Sequence, residues 1–210
     1  GHHKLMDYKL LADLLFPHVT KTPEEIEAQY PARQLPEGAK VTRFAPSPTG
    51  YMHIGNLRTA LYAYLIAKHS DGTFILRIED TDKKREVEGG ADDILKGMND
   101  FGLTIDEGFV APGEIKGAYG PYQQSQRADI YHAYVKTLVA QNLAYPCFCS
   151  EEARQAAREQ QEAAKDRTGY YGKYAICRNL TAEEALAKIE AGESYVVRLR
   201  SMGSEENRIK

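Results

Sequence analysis

"VTRFAPSPTGYMHIGNLRTALYAYLIA", Val41 to Ala67, decides how the rest of this 210-residue chain is read. It opens as a short buried strand, Val41 to Ala45. The turn that follows is stiffened by Pro46 and Pro48, whose rings fix φ. It is loosened at Gly50 and Gly55, where backbone can approach a ligand with no Cβ in the way. A helix begins directly after it, with Leu57, Leu61 and Leu65 recurring at helical spacing beside Ala60 and Tyr64. Asp71-Gly72 ends that helix, and "TFILRI", Thr73 to Ile78, reads as a second buried strand closed by "EDTD". Strand, turn, helix, strand is the start of a parallel α/β sheet. In an open sheet of this kind, ligands bind beyond the carboxyl ends of the strands. The turn sits at such an end. The free N–H groups of the helix start attract phosphate there, and His53 would set a nitrogen donor beside it. The same residues also describe a rigid turn whose histidine caps local backbone, and spacing alone leaves both readings open.

Upstream, "GHHKLM" reads as a tag remnant, so His2 and His3 are set aside as ligands and Met6 is the expected start. A short helix runs from Tyr8 to Phe16, stopped by Pro17, and Thr22-Pro23-Glu24-Glu25 opens a second that reaches about Tyr30. "YPARQLPEGAK" is a linker. Downstream, a helix from Ala91 to Phe101 ends at Gly102. Another runs from Ser125 to Gln141, with Ile130, Tyr134, Val135 and Leu138 on one side. From Tyr145 the character changes: a long polar helix lies between Cys147-Phe148-Cys149 and Cys177. A capping box at Thr181 to Glu184 starts a helix that ends at Gly192, and "YVVRLR", Tyr195 to Arg200, is a strand. The strands are too few to complete a parallel sheet. The segments expected are 1–38 (tag remnant and helical extension), 39–143 (first half of a parallel-sheet domain) and 144–210 (a cysteine-containing module).

Composition narrows the class. The chain is 42% hydrophobic and 27% charged, ordinary for a globular protein, with a formal net charge of −3. That balance argues against gripping nucleic acid by charge alone, though not against reading RNA by shape. No apolar run approaches a membrane span, so no membrane partner is expected. Three cysteines make no secreted disulfide framework and fit a reducing cytoplasm. Cys147, Cys149 and Cys177 suit three corners of a zinc tetrahedron, or three packed thiols. No histidine follows Cys177. Tyr170, Tyr171 and Tyr174 lie near in sequence, and a tyrosine oxygen is an unusual fourth ligand.

"VTRFAPSPTGYMHIGN", "FILRIEDTD", "GPYQQSQR" and "YPCFCSEE" together resemble the glutamyl-tRNA synthetases, from about Val41 to Arg200. "HIGN" is similar to the His-Ile-Gly-His signature of class I aminoacyl-tRNA synthetases, with Asn56 in the last place. The resemblance implies a Rossmann-type parallel-sheet catalytic domain, of which this chain carries the first half, with an inserted α+β acceptor-end-binding module. It implies attack of the L-glutamate carboxylate on the α-phosphorus of ATP, with Mg2+, and transfer of the glutamyl group from the adenylate to tRNA(Glu). His53 is implied as the catalytic residue, and Pro46, Gly50, His53, Gly55 and Asn56 on ATP. Arg43, Ala45, Ser47 and Glu79 are implied on glutamate: a guanidinium fork for a carboxylate, a carboxylate for the ammonium. Arg77, on the same strand, is read as structural. Zinc at the three cysteines is a feature of some members. The acceptor-end module puts Lys165, Arg167, Lys173 and Arg178 forward as phosphate contacts, or as a solvated charged face.

The family's second signature, Lys-x-Ser-Lys, has no match in the chain. The expectation is therefore a truncated, monomeric and catalytically silent part of a cytoplasmic enzyme. The alternatives are the paralogue that glutamylates queuosine in tRNA, a small nucleotidylyl transferase, and a tRNA-binding module without chemistry. A nucleotidylyl transferase would need neither Arg43 and Glu79 nor the cysteine module, and intact His53, Arg43, Ser47 and Glu79 speak against a module without chemistry.

Overall fold

A computed structural model of the chain describes residues 2–50 and 52–202; Gly1, Tyr51 and 203–210, the end of the expected third segment, lie outside the described residues. In chain order the elements are α1 (His2–Leu15), α2 (Pro23–Ala28), β1 (Val41–Phe44), α3 (Ile54–His69), β2 (Thr73–Leu76) and α4 (Gly90–Asp100). They continue as β3 (Glu107–Ala111), β4 (Glu114–Lys116), α5 (Ala128–Ala140), β5 (Ala144–Cys147), α6 (Glu151–Ala163), α7 (Ala182–Glu190) and β6 (Val196–Leu199). Two compact units result: residues 24–131, and residues 1–23 with 132–210. No helix among the described residues is long and apolar enough to cross a membrane.

In the unit of residues 24–131, the sheet order is β1-β2-β3-β4. β1 and β2 are parallel, with Arg43 opposite Ile75 and Phe44 opposite Leu76, and β2 and β3 are parallel in turn. β4 returns antiparallel to β3. A parallel pair needs a crossover, and α3 supplies it between β1 and β2, as α4 does between β2 and β3. This is the expected α/β architecture of a Rossmann-type domain. Phe44, Phe74, Leu76 and Ile78 from the sheet pack with Ala60 and Ala67 of α3 and with Ile94, Leu95 and Met98 of α4.

Three details depart from the sequence reading. Of the expected stripe of α3, Leu57, Ala60 and Tyr64 face the core, but Leu61 and Leu65 are 44% and 40% exposed. Ala63 and Ala67 face the core in their place. Alanines let the helix lie close on the sheet, where Tyr64 meets Phe74 edge-on at 5.6 Å. Next, β3 and β4 were not anticipated. β3 starts on an acidic residue, Glu107, which is buried because Arg33 from the linker donates to both its oxygens at 2.9 and 2.7 Å. Finally, the predicted helix from Ser125 is a 3-10 turn, Gln124–Gln126, followed by α5. Ser125 gives its N–H and its hydroxyl to Asp80, at 2.8 and 2.7 Å, so that stretch is pinned to the segment after β2 rather than wound into the helix. The buried residues of α5 are Ala133 and Val139, not the predicted set.

In the second unit, α1 packs on α7 through Leu11, Ala12 and Leu15. Lys136 ties down the turn after α1 by donating to the carbonyls of Phe16 and Val19, at 3.1 and 2.8 Å. β5, another unforeseen strand, is wholly buried and pairs antiparallel with β6. Ser150 caps α6, and the capping box at Thr181 and Glu184 forms as predicted.

Candidate functional site

The ladder between β1 and β2 runs on past the strands. The Arg77 N–H donates to the Phe44 carbonyl at 3.0 Å and the Glu79 N–H to the Pro46 carbonyl at 2.9 Å. On the other side, Ile78 and Gln123 form a parallel bridge, secured by Ile78 N–H to Tyr122 O and Gln124 N–H to Ile78 O, each 2.9 Å. Residues 77–79 thus lie between 44–46 and 122–124. Side chains alternate along an extended chain, so with Ile78 in the core, Arg77 and Glu79 share the opposite face. Arg43 is exposed at the end of β1, Ser47 is exposed in the turn, and Ala45 is half-buried. Glu79 accepts from the Thr81 hydroxyl at 2.8 Å. Asp80 is buried and accepts from both the N–H and the hydroxyl of Ser125 in the 3-10 turn.

His53 is the N-cap of α3. Its Nδ1 accepts from the N–H groups of Gly55 and Asn56, at 3.1 and 3.4 Å. A neutral imidazole that accepts at Nδ1 carries its proton on Nε2, so the exposed edge of the ring is a donor. Gly55 has a local reason: a Cβ there would stand 3.0 Å from the ring. Gly50 has φ +139°, outside the range of other residues, with nothing near its missing Cβ. Pro46 and Pro48 are buried, and the Pro48 carbonyl accepts the Val87 N–H at 2.9 Å. Asn56 keeps a buried, unpartnered Oδ1. A cavity of about 580 Å³ opens beside His53, lined by Met52, Leu57, Asp93, Lys96 and Phe101 among others. Arg43, Ser47 and Glu79 do not line it.

The second unit holds the thiols. The sulfurs of Cys147, Cys149 and Cys177 lie within 4.8 Å of one another. Of the three tyrosines, Tyr170 completes the group: its hydroxyl is 3.3 Å from Cys147 Sγ and 3.2 Å from Cys149 Sγ. It also accepts the Cys177 N–H at 2.9 Å, and the Arg198 guanidinium lies 4.2 Å over its ring. Burial pushes the Cys149 thiol up to about 11. Burial acts on Cys147 the same way, but the Tyr170 hydroxyl and the Arg198 guanidinium outweigh it and bring that thiol down to about 7. Burial, then the two thiols, raise Tyr170. The three sulfurs suit three corners of a zinc tetrahedron, with the Tyr170 oxygen beside two of them as an unusual fourth donor. Lys165, Arg167 and Lys173 are exposed, and Arg178 is half-buried.

Arg77, read as structural, shares its face with Glu79, and Arg127 follows the segment that bridges to Ile78. The alternation in "RIE" places Arg77 beside Glu79, but nothing in the sequence shows that 122–127 folds against the same strand end.

Residues 40–209 match the family model of the catalytic domain of class I tRNA synthetases (E and Q). The chain is similar to a glutamate–tRNA ligase of Clostridium perfringens (strain 13 / Type A), 54% identical over 204 residues, covering 97% of this chain and 37% of that protein. A glutamate–tRNA ligase of Sorangium cellulosum is 40% identical over 202 residues, covering 90% of this chain and 35% of that one. Among solved structures, the chain resembles a glutamate tRNA ligase from Elizabethkingia meningosepticum in complex with its amino acid. That match has a TM-score of 0.65 at 40% identity and covers 78% of this chain and 32% of the other. The chain therefore spans about a third of the length of the relatives it matches.

Proposed function

Because this chain belongs to the class I tRNA synthetases (E and Q), we propose that it is the N-terminal part of an enzyme that ligates L-glutamate to tRNA through a glutamyl-adenylate. The observation that carries this reading is the extended ladder. It runs the end of β1 and the turn after it, which carry Arg43, Ala45 and Ser47, alongside the segment after β2 that carries Glu79, at the carboxyl edge where an open sheet binds ligands. Arg43 holds a carboxylate, Glu79 the ammonium, and Ser47 a polar atom of the amino acid. The turn of Pro46, Gly50, His53, Gly55 and Asn56 receives ATP with its Mg2+. Nδ1 occupies two N–H groups of the helix start, so the donor offered to phosphate is Nε2–H of His53. Catalysis is then positioning and charge stabilisation, with no covalent nucleophile.

Segment 144–210 serves as the acceptor-end module, with Lys165, Arg167, Lys173 and Arg178 toward phosphates. Cys147, Cys149, Cys177 and Tyr170 hold Zn2+, which contributes folding energy to that module. Unpaired thiols suit the cytoplasm. The chain by itself is catalytically silent, because the charge that stabilises the departing pyrophosphate comes from elsewhere.

The test is a chimaera in which this chain replaces the matching segment of the C. perfringens ligase. Glutamate-dependent pyrophosphate exchange, with tRNA present, is expected. Arg43→Ala or Glu79→Gln should lower kcat/KM at least about tenfold, since each strips a charged group of the substrate of its partner. Exchange unchanged in both variants would remove these residues from the glutamate site.

A further inference from the structure

Arg198 in β6 and Arg200 just past it stand two residues apart and are used differently. Arg200 spends its guanidinium on neutral oxygens: Nε on the Asn142 carbonyl, Nη2 on the Asn142 side chain and Nη1 on the Arg178 carbonyl, each at 2.9 Å. That arginine fastens the end of β6. Arg198 is half-buried, lies 4.2 Å over the Tyr170 ring and hydrogen-bonds the Cys147 thiol. Its acidic neighbours are that thiol and the hydroxyls of Tyr170 and Tyr145, and none of these is a carboxylate. Other half-buried cations meet carboxylates, as Arg33 meets Glu107 and Lys136 meets Asp13. Taking a cation out of water is costly unless an opposite charge stands beside it.

The thiol cluster is where such a charge arises. A metal binds thiolates rather than thiols, so loading strips a proton from each cysteine that still holds one. Three thiolates carry one negative charge more than a divalent metal cancels. The Tyr170 oxygen adds another when it binds as phenolate and none when it binds as phenol. Arg198 touches two members of the donor set at once, Cys147 through a hydrogen bond and Tyr170 through its ring face. In the metal-free protein the same guanidinium faces fewer negative charges. Its charge therefore favours the loaded state over the empty one, and only such a difference raises affinity.

We propose that Arg198 is the counter-charge of the metal site, cancelling the negative charge that three thiolates leave over a divalent cation and so raising the affinity of the site for zinc. This rests on the zinc reading above and adds the residue that balances it. Arg198 is a positioning residue and not a ligand: it acts through Cys147 and Tyr170. Such partners of metal ligands are worth about 10–100-fold in metal affinity.

The experiment titrates Zn2+, against a competing chelator, into the 210-residue chain as wild type, Arg198→Gln, Arg198→Lys and Arg158→Gln. Co2+ is the second probe, because its thiolate-to-metal absorption reports the donor set, and circular dichroism follows the fold without metal. Arg198→Gln is expected to bind Zn2+ at least about tenfold more weakly than wild type. Arg198→Lys keeps the charge and should recover most of that loss. Arg158→Gln removes an equal charge from the exposed side of α6 and should bind as wild type does. The Co2+ absorption should be alike in all four proteins. Equal Zn2+ affinity in wild type and Arg198→Gln overturns the proposal. So does an Arg158→Gln weakened as much as Arg198→Gln, which would make the effect one of overall charge. Arg198→Lys as weak as Arg198→Gln, Co2+ absorption lost from Arg198→Gln, or an Arg198→Gln unfolded where metal-free wild type is folded makes the arginine a packing element and overturns it too. All these outcomes leave the zinc reading standing. A wild type that binds neither metal contradicts the zinc reading itself, and the counter-charge with it.

Discussion

Single residues here carry separable roles, and His53 shows how to part them. As an N-cap it uses Nδ1, and as a phosphate donor it would use Nε2. Asparagine is as good a cap as any residue but cannot place a donor where Nε2 stands. His53→Ala should destabilise the chain by about 1 kcal/mol in urea unfolding, while His53→Asn should unfold near wild type. In the chimaera both should slow pyrophosphate exchange by about 10²–10³, the usual cost of one preorganised donor. Normal exchange by His53→Asn would leave the ring with capping alone. Tyr170 offers a second separation. The purified chain should hold close to one zinc per molecule by elemental analysis, and Tyr170→Phe should bind it at least about tenfold more weakly, with the protein still folded. Zinc below about a tenth of an equivalent, in protein never exposed to chelator, would make the thiols structural.

Among the elements, what the sequence displayed was what local chemistry dictates. The turn between β1 and α3, the stop at Asp71-Gly72 and the capping box at Thr181 all stand where propensity and capping place them. What it concealed depends on partners distant along the chain. β3 begins with a buried Glu107, and only Arg33, 74 residues earlier, makes that burial possible. Leu61 and Leu65 kept perfect helical spacing, yet the alanines won the core because they bring α3 closer to the sheet. The candidate site divides the same way. Arg43, Ser47 and Glu79 are singled out by the family resemblance of the segments that carry them, whereas nothing in the sequence shows that Gln123 pairs beside the end of β2 through its bridge to Ile78. The Arg33–Glu107 pair gives a direct test of this element-level coupling. The Glu107 hydrogen bonds raise Arg33 above its ordinary range, and Tyr119 lies 3.9 Å beneath the guanidinium. Arg33→Ala leaves a buried carboxylate alone and should cost about 2–4 kcal/mol in denaturant unfolding. Arg33→Met with Glu107→Met should recover most of that loss. A single variant as stable as wild type would show that the linker merely rests on β3.

At the scale of the whole molecule, the extension before Lys40 precedes the segment that the family model matches, and its α1 packs with α7. On the proposed reading, the parallel sheet supplies one wall of the amino-acid site and the capped turn one part of the phosphate site. The chain spans 37% of the C. perfringens relative, and such catalytic parts act as a unit rather than adding. Charging of tRNA therefore tests the account most directly. Labelled L-glutamate and total bacterial tRNA are given to the chain alone, to its chimaera with the C. perfringens ligase, and to that ligase itself. The chimaera is predicted to charge tRNA with glutamate within about tenfold of the C. perfringens enzyme, and the chain alone to fall short by far more than a hundredfold. A folded chimaera that charges no glutamate would contradict the assignment of this segment. Charging by the chain alone within about a hundredfold would contradict the division of the catalytic apparatus on which the account rests.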